Sequence, residues 1–353
     1  MAVAERGRVA ERVDRLRETL EEPLLVIAGV NVQYLTGFES SNAALLVDDE
    51  RVLLFTDFRY ATAASALDGV EFIQSQRSLL KTVGENLSGR VGFESAAMTY
   101  DGYERLRDAG LDLVPRTGLV ERLRATKDDR ELAAIREAAR ITDTTYAALA
   151  EERFVGRTER DVAWTMEQLF HENGAHAVAF EVIVGAGVTG SMPHGRPGDR
   201  VIEPNTTVVV DAGCVVDGYN SDCTRTFTTG DLPDDLANAY DVCLRAELAG
   251  LDAIRVGASG DEADAAAREV IEDAGLGENF GHGLGHGVGL LVHETPVLRP
   301  ESTDVLEARN VVTCEPGIYL AGRAGVRIED LVVVTDGEPE ILSTFTKEIV
   351  TVG

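Results

Sequence analysis

Lysine is nearly absent from this chain of 353 residues, occurring only at Lys81, Lys127 and Lys347. Arginine supplies the rest of the 33 basic side chains, and 61 acidic residues bring the formal net charge to −28. This balance disfavours nucleic-acid binding, because neutralising phosphates requires clustered lysine and arginine. The acidic residues are spread along the whole chain. They predict a surface adapted to high salt, where screening suppresses self-repulsion, and the alternative is a basic partner.

Cysteine and long apolar runs are also scarce. The four cysteines show neither CxxC spacing nor a disulfide framework, so we expect small buried core residues: Cys214, Cys223, Cys243 and Cys314. No stretch approaches the ~18–20 uninterrupted apolar residues of a membrane-spanning helix. The N-terminal segment is charged and has no apolar signal core, so the sequence predicts a cytoplasmic protein that does not enter a membrane.

The chain is long enough, and at 44% apolar enough, to form two domains with a large core. In its first part, predicted helices (1–20, 61–67, 76–87 and 101–109) accompany predicted strands (24–28, 43–47 and 52–56). This mixture is typical of an α/β unit, and the polar stretch 120–129 indicates where the unit ends. We therefore predict two domains, residues 1–122 and 123–353.

The second domain follows a duplicated plan of two helices and then strands. In the first half, a helix at 129–152 precedes one that follows Thr158, where Asp161 completes a capping-box pattern. The second half repeats the order, with helices at 234–255 and 261–274. The predicted fold class is therefore α/β (α+β), with an internal pseudo-twofold repeat in the second domain.

A β-hairpin is predicted around Asp217–Gly218, which is a strong turn signal. With these two residues at the centre of the turn, Asp211 pairs opposite Thr224. Asp222 has the same parity along the strand as Thr224. The carboxylates of Asp211 and Asp222 therefore face one side as diagonal neighbours, within reach of a metal pair.

Two glutamates of the second half suggest a mirrored arrangement. Glu315 ends the strand NVVTC, and Glu329 lies in the returning strand VRIEDLVVV. A single acidic residue is more often a solvated surface charge, but an unpaired charge inside an apolar strand is costly. His286 lies in the glycine-dense segment FGHGLGHGVGLLVHE, where missing side chains let backbone approach a ligand. Four carboxylates and one imidazole suit two divalent cations, which predicts a two-metal hydrolase.

Taken together, these segments resemble the creatinase and methionine aminopeptidase superfamily, the pita-bread metallopeptidases. Ligand spacings of 11, 64, 29 and 14 residues closely resemble those of archaeal prolidases, in the prolidase and Xaa-Pro aminopeptidase branch. The segments NVQYLTGF (31–38) and LLFTDFRY (53–60) resemble the creatinase-type N-terminal domain. The resemblance covers nearly the whole chain, and it implies that such a domain precedes a pita-bread catalytic domain.

The resemblance implies a metal-binding role for five residues. Asp211 would chelate one divalent ion, and Asp222 and Glu329 would bridge it to a second. His286 and Glu315 would complete the second site. Oxygen-rich ligation favours Mn²⁺ or Co²⁺, with Zn²⁺ or Fe²⁺ as alternatives.

The resemblance also implies how the site would act on its substrate. Glu315 would take the proton of the attacking water, and His293 would bind the scissile carbonyl. His194 and His282 would position the substrate, and Arg327 would hold both the site geometry and the substrate. These roles describe a peptidase that hydrolyses Xaa-Pro bonds in small proline-containing peptides, and the resemblance alone suggests a homodimer.

One position departs from the prolidase pattern. Prolidases often place an arginine four residues after the second histidine, where it binds the dipeptide carboxylate; this chain has Val297 there and Arg299 nearby. The departure leaves Xaa-Pro dipeptidase and Xaa-Pro aminopeptidase both open. Two further alternatives are a non-proline aminopeptidase or amidase and a non-catalytic binding protein with this fold. The complete ligand set argues against the binding protein, which has no need of four buried carboxylates.

Overall fold

The computed structural model describes residues 2–76 and 78–353, with side chains from residue 9 onwards in those ranges. The chain divides into two compact units, Met1–Arg124 and Ala125–Gly353. Each unit contains its own cluster of buried apolar side chains. No helix within the described ranges is long and apolar enough to cross a membrane.

A mixed β-sheet forms the centre of the first unit. Its strands are β1 (Leu24–Val26), β2 (Ala43–Val47), β3 (Val52–Asp57), β4 (Glu71–Ser75), β5 (Arg90–Glu94) and β6 (Asp112–Arg116). Their order is β4-β3-β2-β1-β5-β6, in which β2 pairs antiparallel with β1 and β3 and the other pairs are parallel. The helices of this region are α1 (Ala2–Arg17), α2 (Gly29–Thr36), α3 (Ala61–Ala64), α4 (Leu79–Asn86), α5 (Tyr100–Asp108) and α6 (Leu119–Ala125).

The predicted helix at 76–87 is wrong at its start. Helix α4 begins at Leu79, because Ser78 caps it by accepting a hydrogen bond from the backbone N–H of Lys81. Arg77, which that prediction included, lies outside the described residues. Strand β4 was not predicted, because it is an edge strand whose sequence, EFIQS, lacks a clear apolar pattern, and only one of its five residues is buried.

The second unit begins with two helices, α7 (Asp129–Leu149) and α8 (Glu159–Glu172), which start at capping boxes on Asp128 and Thr158. The Thr158 cap confirms the predicted one. The strands that follow are β7 (Ala177–Val178), β8 (Ile183–Ala186), β9 (Thr207–Asp211), β10 (Cys214–Val216), β11 (Tyr219–Asn220) and β12 (Thr224–Thr228). Strands β8, β9 and β12 form one antiparallel sheet, and β7, β10 and β11 form another.

The second half of this unit repeats the order of helices and strands. It contains α9 (Asp234–Ala253) and α10 (Gly260–Asp273). Its strands are β13 (Gly285–Gly287), β14 (Glu294–Leu298), β15 (Val311–Cys314), β16 (Gly317–Leu320), β17 (Ala324–Arg327), β18 (Asp330–Val333) and β19 (Glu340–Ile341). A sheet has the order β14-β13-β15-β18-β19, and β16 pairs with β17 as a hairpin.

Two apolar clusters show that the halves pack alike. In the first cluster, Tyr146 of α7 and Met166 and Phe170 of α8 pack with Val208 and Val210 of β9. The second cluster joins α9 and α10 to β15 and β18 in the same manner. The four cysteines are buried in these clusters as free thiols, which confirms their predicted role in the core.

Candidate metal centre

The two aspartates of the first half lie on opposite arms of the predicted hairpin. Asp211 is the last residue of β9 and pairs with Thr224, the first residue of β12, which confirms the register predicted from the turn. Asp222 lies two residues before Thr224 in the segment that leads into β12. The strands come this close because residue 213 is glycine; a Cβ atom on Gly213 would overlap the carbonyl oxygen of Ser221. Both carboxylates are thereby brought to one end of the sheet.

Glu315 and Glu329 occupy the corresponding place in the second half. The last residue pair between antiparallel strands β15 and β18 is Cys314 with Asp330. Glu315 and Glu329 are the next residues beyond this pair, so they lie opposite each other. Glu329 was predicted inside a continuous strand, and that detail is wrong: it lies in a short break between β17 and β18. Its backbone N–H donates to the carbonyl oxygen of Thr224 at 3.1 Å, which ties it to the first half.

His286 lies in the middle of β13, between β14 and β15. Its Nε2 atom is 3.2 Å from Oε1 of Glu315 and 3.8 Å from Oδ2 of Asp222. The neighbouring glycine is required, because a Cβ atom on Gly285 would overlap the carbonyl oxygen of Thr313. The glycine-dense segment therefore brings the imidazole to the carboxylates by close packing of backbone against backbone.

The side chains of this region fit a divalent metal centre. Ligand atoms of Asp222, His286 and Glu329 lie within 4.8 Å of one another, close enough to hold an ion. Asp211 and Glu315 line the same cavity but lie outside this group. The Oδ1 atom of Asp211 is buried and accepts no hydrogen bond from the described residues, so it is available as a ligand. Carboxylate oxygens with one imidazole match the preferences of divalent ions such as Mn²⁺.

Burial and repulsion between carboxylates dominate the electrostatics of this site. Desolvation, followed by repulsion from neighbouring carboxylates, raises the pKa values of Asp222 and Glu329 well above the usual range. Burial also raises the pKa of Asp211, although the Arg327 guanidinium opposes the shift. Glu315 differs, because the adjacent imidazole outweighs the effect of burial and lowers its pKa to about 2. Asp222 and Glu329 therefore favour their protonated forms in the absence of metal, and a bound metal ion would displace those protons.

Arg327 is held in place by the surrounding protein. Its buried guanidinium donates hydrogen bonds to four oxygens: Asp211 Oδ2 at 2.6 Å, Thr224 Oγ1 at 3.0 Å, the Tyr319 hydroxyl at 3.0 Å and the Pro193 carbonyl at 3.1 Å. Tyr319 also shares a 2.9 Å hydrogen bond with Nε2 of His282. Sequence reasoning missed Tyr319, although its position in the segment CEPGIY, four residues after Glu315, was a usable signal.

All nine residues predicted for the site line one cavity of about 510 Å³. Among them are the three histidines expected to contact substrate, His194, His282 and His293. The rings of His293 and His286 meet edge to face, with 4.2 Å between their centroids. Desolvation lowers the pKa values of His282 and His293, and repulsion from His286 adds to the shift at His293. We therefore expect both rings to be neutral near pH 7, each with one N–H to donate.

Comparison with known proteins identifies the class. The model of metallopeptidase family M24 matches residues 133–336, and the creatinase/prolidase N-terminal domain matches residues 12–126. The uncharacterized peptidase YqhT of Bacillus subtilis is 37% identical over 336 residues, which cover 93% of this chain and 95% of that protein. The chain therefore belongs to metallopeptidase family M24.

Solved structures agree with this assignment. An Xaa-Pro dipeptidase from Bacillus anthracis matches with a TM-score of 0.92 at 34% identity, covering 97% of this chain and 99% of that one. An X-Pro aminopeptidase from Thermotoga maritima matches with a TM-score of 0.86 at 31% identity, covering 97% and 100%. The predicted family and fold class are confirmed: the chain is a metallopeptidase with a creatinase-type N-terminal domain.

Proposed function

We propose that this protein hydrolyses the bond that precedes proline in small peptides, using two divalent metal ions. The observation that carries the proposal is the group of four carboxylates and one imidazole in a cavity that also contains His293. Structural relatives named Xaa-Pro dipeptidase and X-Pro aminopeptidase support the choice of proline.

The proposed ligand sets follow the family pattern. Asp211 would hold one ion, His286 and Glu315 would hold the other, and Asp222 and Glu329 would contact both. When bound, the ions supply Lewis acidity that polarises the scissile carbonyl and lowers the pKa of a water molecule. We propose Mn²⁺ or Co²⁺, because the donor set is rich in oxygen, with Zn²⁺ or Fe²⁺ as alternatives.

Glu315 is the proposed general base. In the filled site its carboxylate, which lines the cavity, would accept a proton from the attacking water. It then passes that proton to the proline nitrogen, which has no hydrogen of its own and leaves more readily when protonated. His293 would donate its N–H to the carbonyl oxygen as negative charge develops there. His194 and His282 would position the peptide in the cavity.

Two residues of the cavity wall near the end of β14 bear on the length of the peptides that the site accepts. Val297 and Arg299 both line the cavity, and alternation along an extended chain places them on the same side. Gly283 makes room for Arg299, because a Cβ atom there would lie 2.7 Å from the Cβ of Arg299. Arg299 lies about 7 Å further along the chain than Val297, at the rise of an extended strand. We propose that the site accepts peptides longer than two residues, with Arg299 attracting their carboxylate.

Arg327 is less suited to bind that carboxylate. Its guanidinium already donates to four protein oxygens, including Oδ2 of Asp211 at 2.6 Å. Turning it toward substrate would break the buried ion pair with Asp211, which is costly inside a protein. We therefore propose that Arg327 fixes the geometry of the metal site and leaves contact with the peptide carboxylate to Arg299.

Several properties of the whole protein are proposed on weaker grounds. The four free, buried cysteines support a reducing compartment, and the cytoplasm is the proposed one. The net charge of −28 supports a high-salt environment. Family resemblance alone supports a homodimer. Domain limits of 1–122 and 123–353 are proposed from the sequence pattern.

Cleavage of Ala-Pro, Ala-Ala and Ala-Pro-Ala in the presence of Mn²⁺ or Co²⁺ tests the proposal. We expect hydrolysis of both proline peptides and slow hydrolysis of Ala-Ala. Equal kcat/KM on Ala-Pro and Ala-Ala would remove the proline specificity and leave a general metal-dependent aminopeptidase. No cleavage of any peptide by fully metallated protein would overturn the proposed activity.

A further inference from the structure

We propose that Lys127 is a positioning residue for His293 and acts through a buried ion pair with Glu294. Lys127 lies just before α7, and Glu294 directly follows His293 in the sequence. The inference rests on the proposed function, in which His293 binds the scissile carbonyl. It assigns a role at the active site to a side chain that is far from His293 in sequence.

Lys127 is unusual for this chain because it is a buried lysine in a protein that uses arginine almost everywhere else. Its side chain is 1% exposed, although lysine is seldom fully buried unless it is paired. Its backbone is fixed by Arg309: the Lys127 N–H donates to the Arg309 carbonyl at 3.1 Å, and Nε of Arg309 donates to the Lys127 carbonyl at 2.6 Å. The ammonium group is therefore presented from a fixed point.

Glu294 receives this ammonium group inside the protein. Its Oε2 atom is 3.7 Å from Nζ of Lys127, and its side chain is 4% exposed. Its Oε1 atom accepts a hydrogen bond from the backbone N–H of Leu291 at 2.8 Å. The carboxylate also lies against Gly289, where a Cβ atom would come within 2.7 Å of Oε2. The Glu294 carboxylate thus holds together the turn formed by residues 289–294, and the ammonium group of Lys127 balances the charge of this carboxylate.

This turn presents His293 to the cavity. The ring of His293 rests edge to face against that of His286, with 4.2 Å between centroids. The far end of the turn is anchored by Asn220, whose backbone and side-chain amides each donate to the carbonyl oxygen of Gly289 at 2.9 Å. Lys127 holds the other end of the turn, at residue 294, through its ion pair with Glu294. The placement of the imidazole therefore depends on both anchors.

Loss of the ammonium group would remove the positive charge beside a buried carboxylate, an unfavourable change in a low-dielectric interior. The carboxylate would move toward water and carry the turn with it. We expect His293 to lose its alignment with the scissile carbonyl. None of the proposed metal ligands lies within the 289–294 turn, so metal content is expected to stay unchanged.

Steady-state kinetics on Ala-Pro with fully metallated protein provide the first test. Lys127→Met keeps most of the apolar stem and removes the charge, and we expect kcat to fall about 10–100-fold with little change in KM. In a His293→Ala background the same substitution should cause no further fall. The matched control is Arg136→Met, which removes an ion pair to Glu340 from helix α7 and should leave kcat unchanged. An equal fall in both backgrounds would overturn the proposal.

Hydrogen exchange of the 289–294 segment provides a second test that needs no activity. Lys127→Met should speed exchange of the Leu291 amide, whereas Arg136→Met should not. If Lys127→Met does not fold, Lys127→Gln takes its place, because it removes the charge but keeps a polar side chain beside Glu294 and leaves the acceptor of the Leu291 N–H intact, and the same results are expected. Unchanged exchange at Leu291 would overturn the proposal. If the wild-type protein cleaves no Xaa-Pro peptide, the proposed function fails while the exchange result still decides the role of Lys127 in the turn.

Discussion

Metal binding at this site is expected to strengthen as the pH rises. In the metal-free protein, burial and neighbouring carboxylates raise the pKa values of Asp222 and Glu329 well above the usual range. A metal ion binds the ionised carboxylates, so each bound proton must leave first. Glu315 contributes little to this effect, because its pKa of about 2 keeps it ionised already. To test this expectation, the metal would be removed by a chelator at a series of pH values.

The magnitude follows from the number of protons displaced. Each proton changes the affinity tenfold per pH unit, which is about 1.4 kcal/mol, so the two carboxyl groups give up to about 2.7 kcal/mol per pH unit. The proton on His286, whose pKa Glu315 raises against the effect of burial, adds to this dependence below the pKa of that imidazole. The pKa values of Asp222 and Glu329 are raised by folding, so the metal-free folded state binds more protons than the unfolded state above about pH 4. Its stability therefore falls as the pH rises through that window. The metal-loaded protein is spared this loss, so the difference between the two forms widens.

Urea unfolding of chelated and Mn²⁺-loaded protein between about pH 5 and 8 measures this difference. Calorimetry of metal binding in buffers with different ionisation enthalpies counts the released protons directly. Burial also raises the pKa of Glu247, which is not a proposed ligand, and its contribution cancels because both forms carry it. A metal-linked stabilisation that is constant across this range, with no proton release, would refute the reasoning.

Three further predictions concern catalysis, specificity and salt. Glu315→Gln and His293→Ala should each lower kcat by ~10²–10⁴-fold, far more than they change folding; near-normal kcat in fully metallated variants would contradict this. Arg299→Gln should raise KM for Ala-Pro-Ala but not for its C-terminal amide, and equal effects on the two peptides would remove Arg299 from carboxylate recognition. The melting temperature should be higher in about 2 M KCl than in dilute buffer, because the Debye length falls from ~30 Å at 0.01 M salt to ~3 Å at 1 M. A melting temperature at low salt that equals or exceeds the high-salt value would point instead to another cause of the acidity.

The parts of the site that were predictable depend on local rules. The Asp217–Gly218 turn and the two-residue period of strands were enough to pair Asp211 with Thr224. The motifs that resemble the family were enough to select nine residues that line one cavity. In both cases the information lies within short stretches of chain.

Other features depend on contacts between distant segments, which local patterns do not contain. Glu329 leaves its strand because its N–H bonds to Thr224 in the other half of the unit. The hydrogen bonds that Tyr319 makes with Arg327 and His282 join three segments. The buried partner of Lys127 is likewise visible only once the chain has folded.

Metal-dependent recovery of activity tests the central claim most directly. Chelated protein would be titrated with Mn²⁺ while hydrolysis of Ala-Pro is followed, with elemental analysis giving the bound metal at each step. The two-metal assignment predicts no hydrolysis without metal and a plateau at about two ions per chain. Full activity in protein that contains no detectable metal would contradict it.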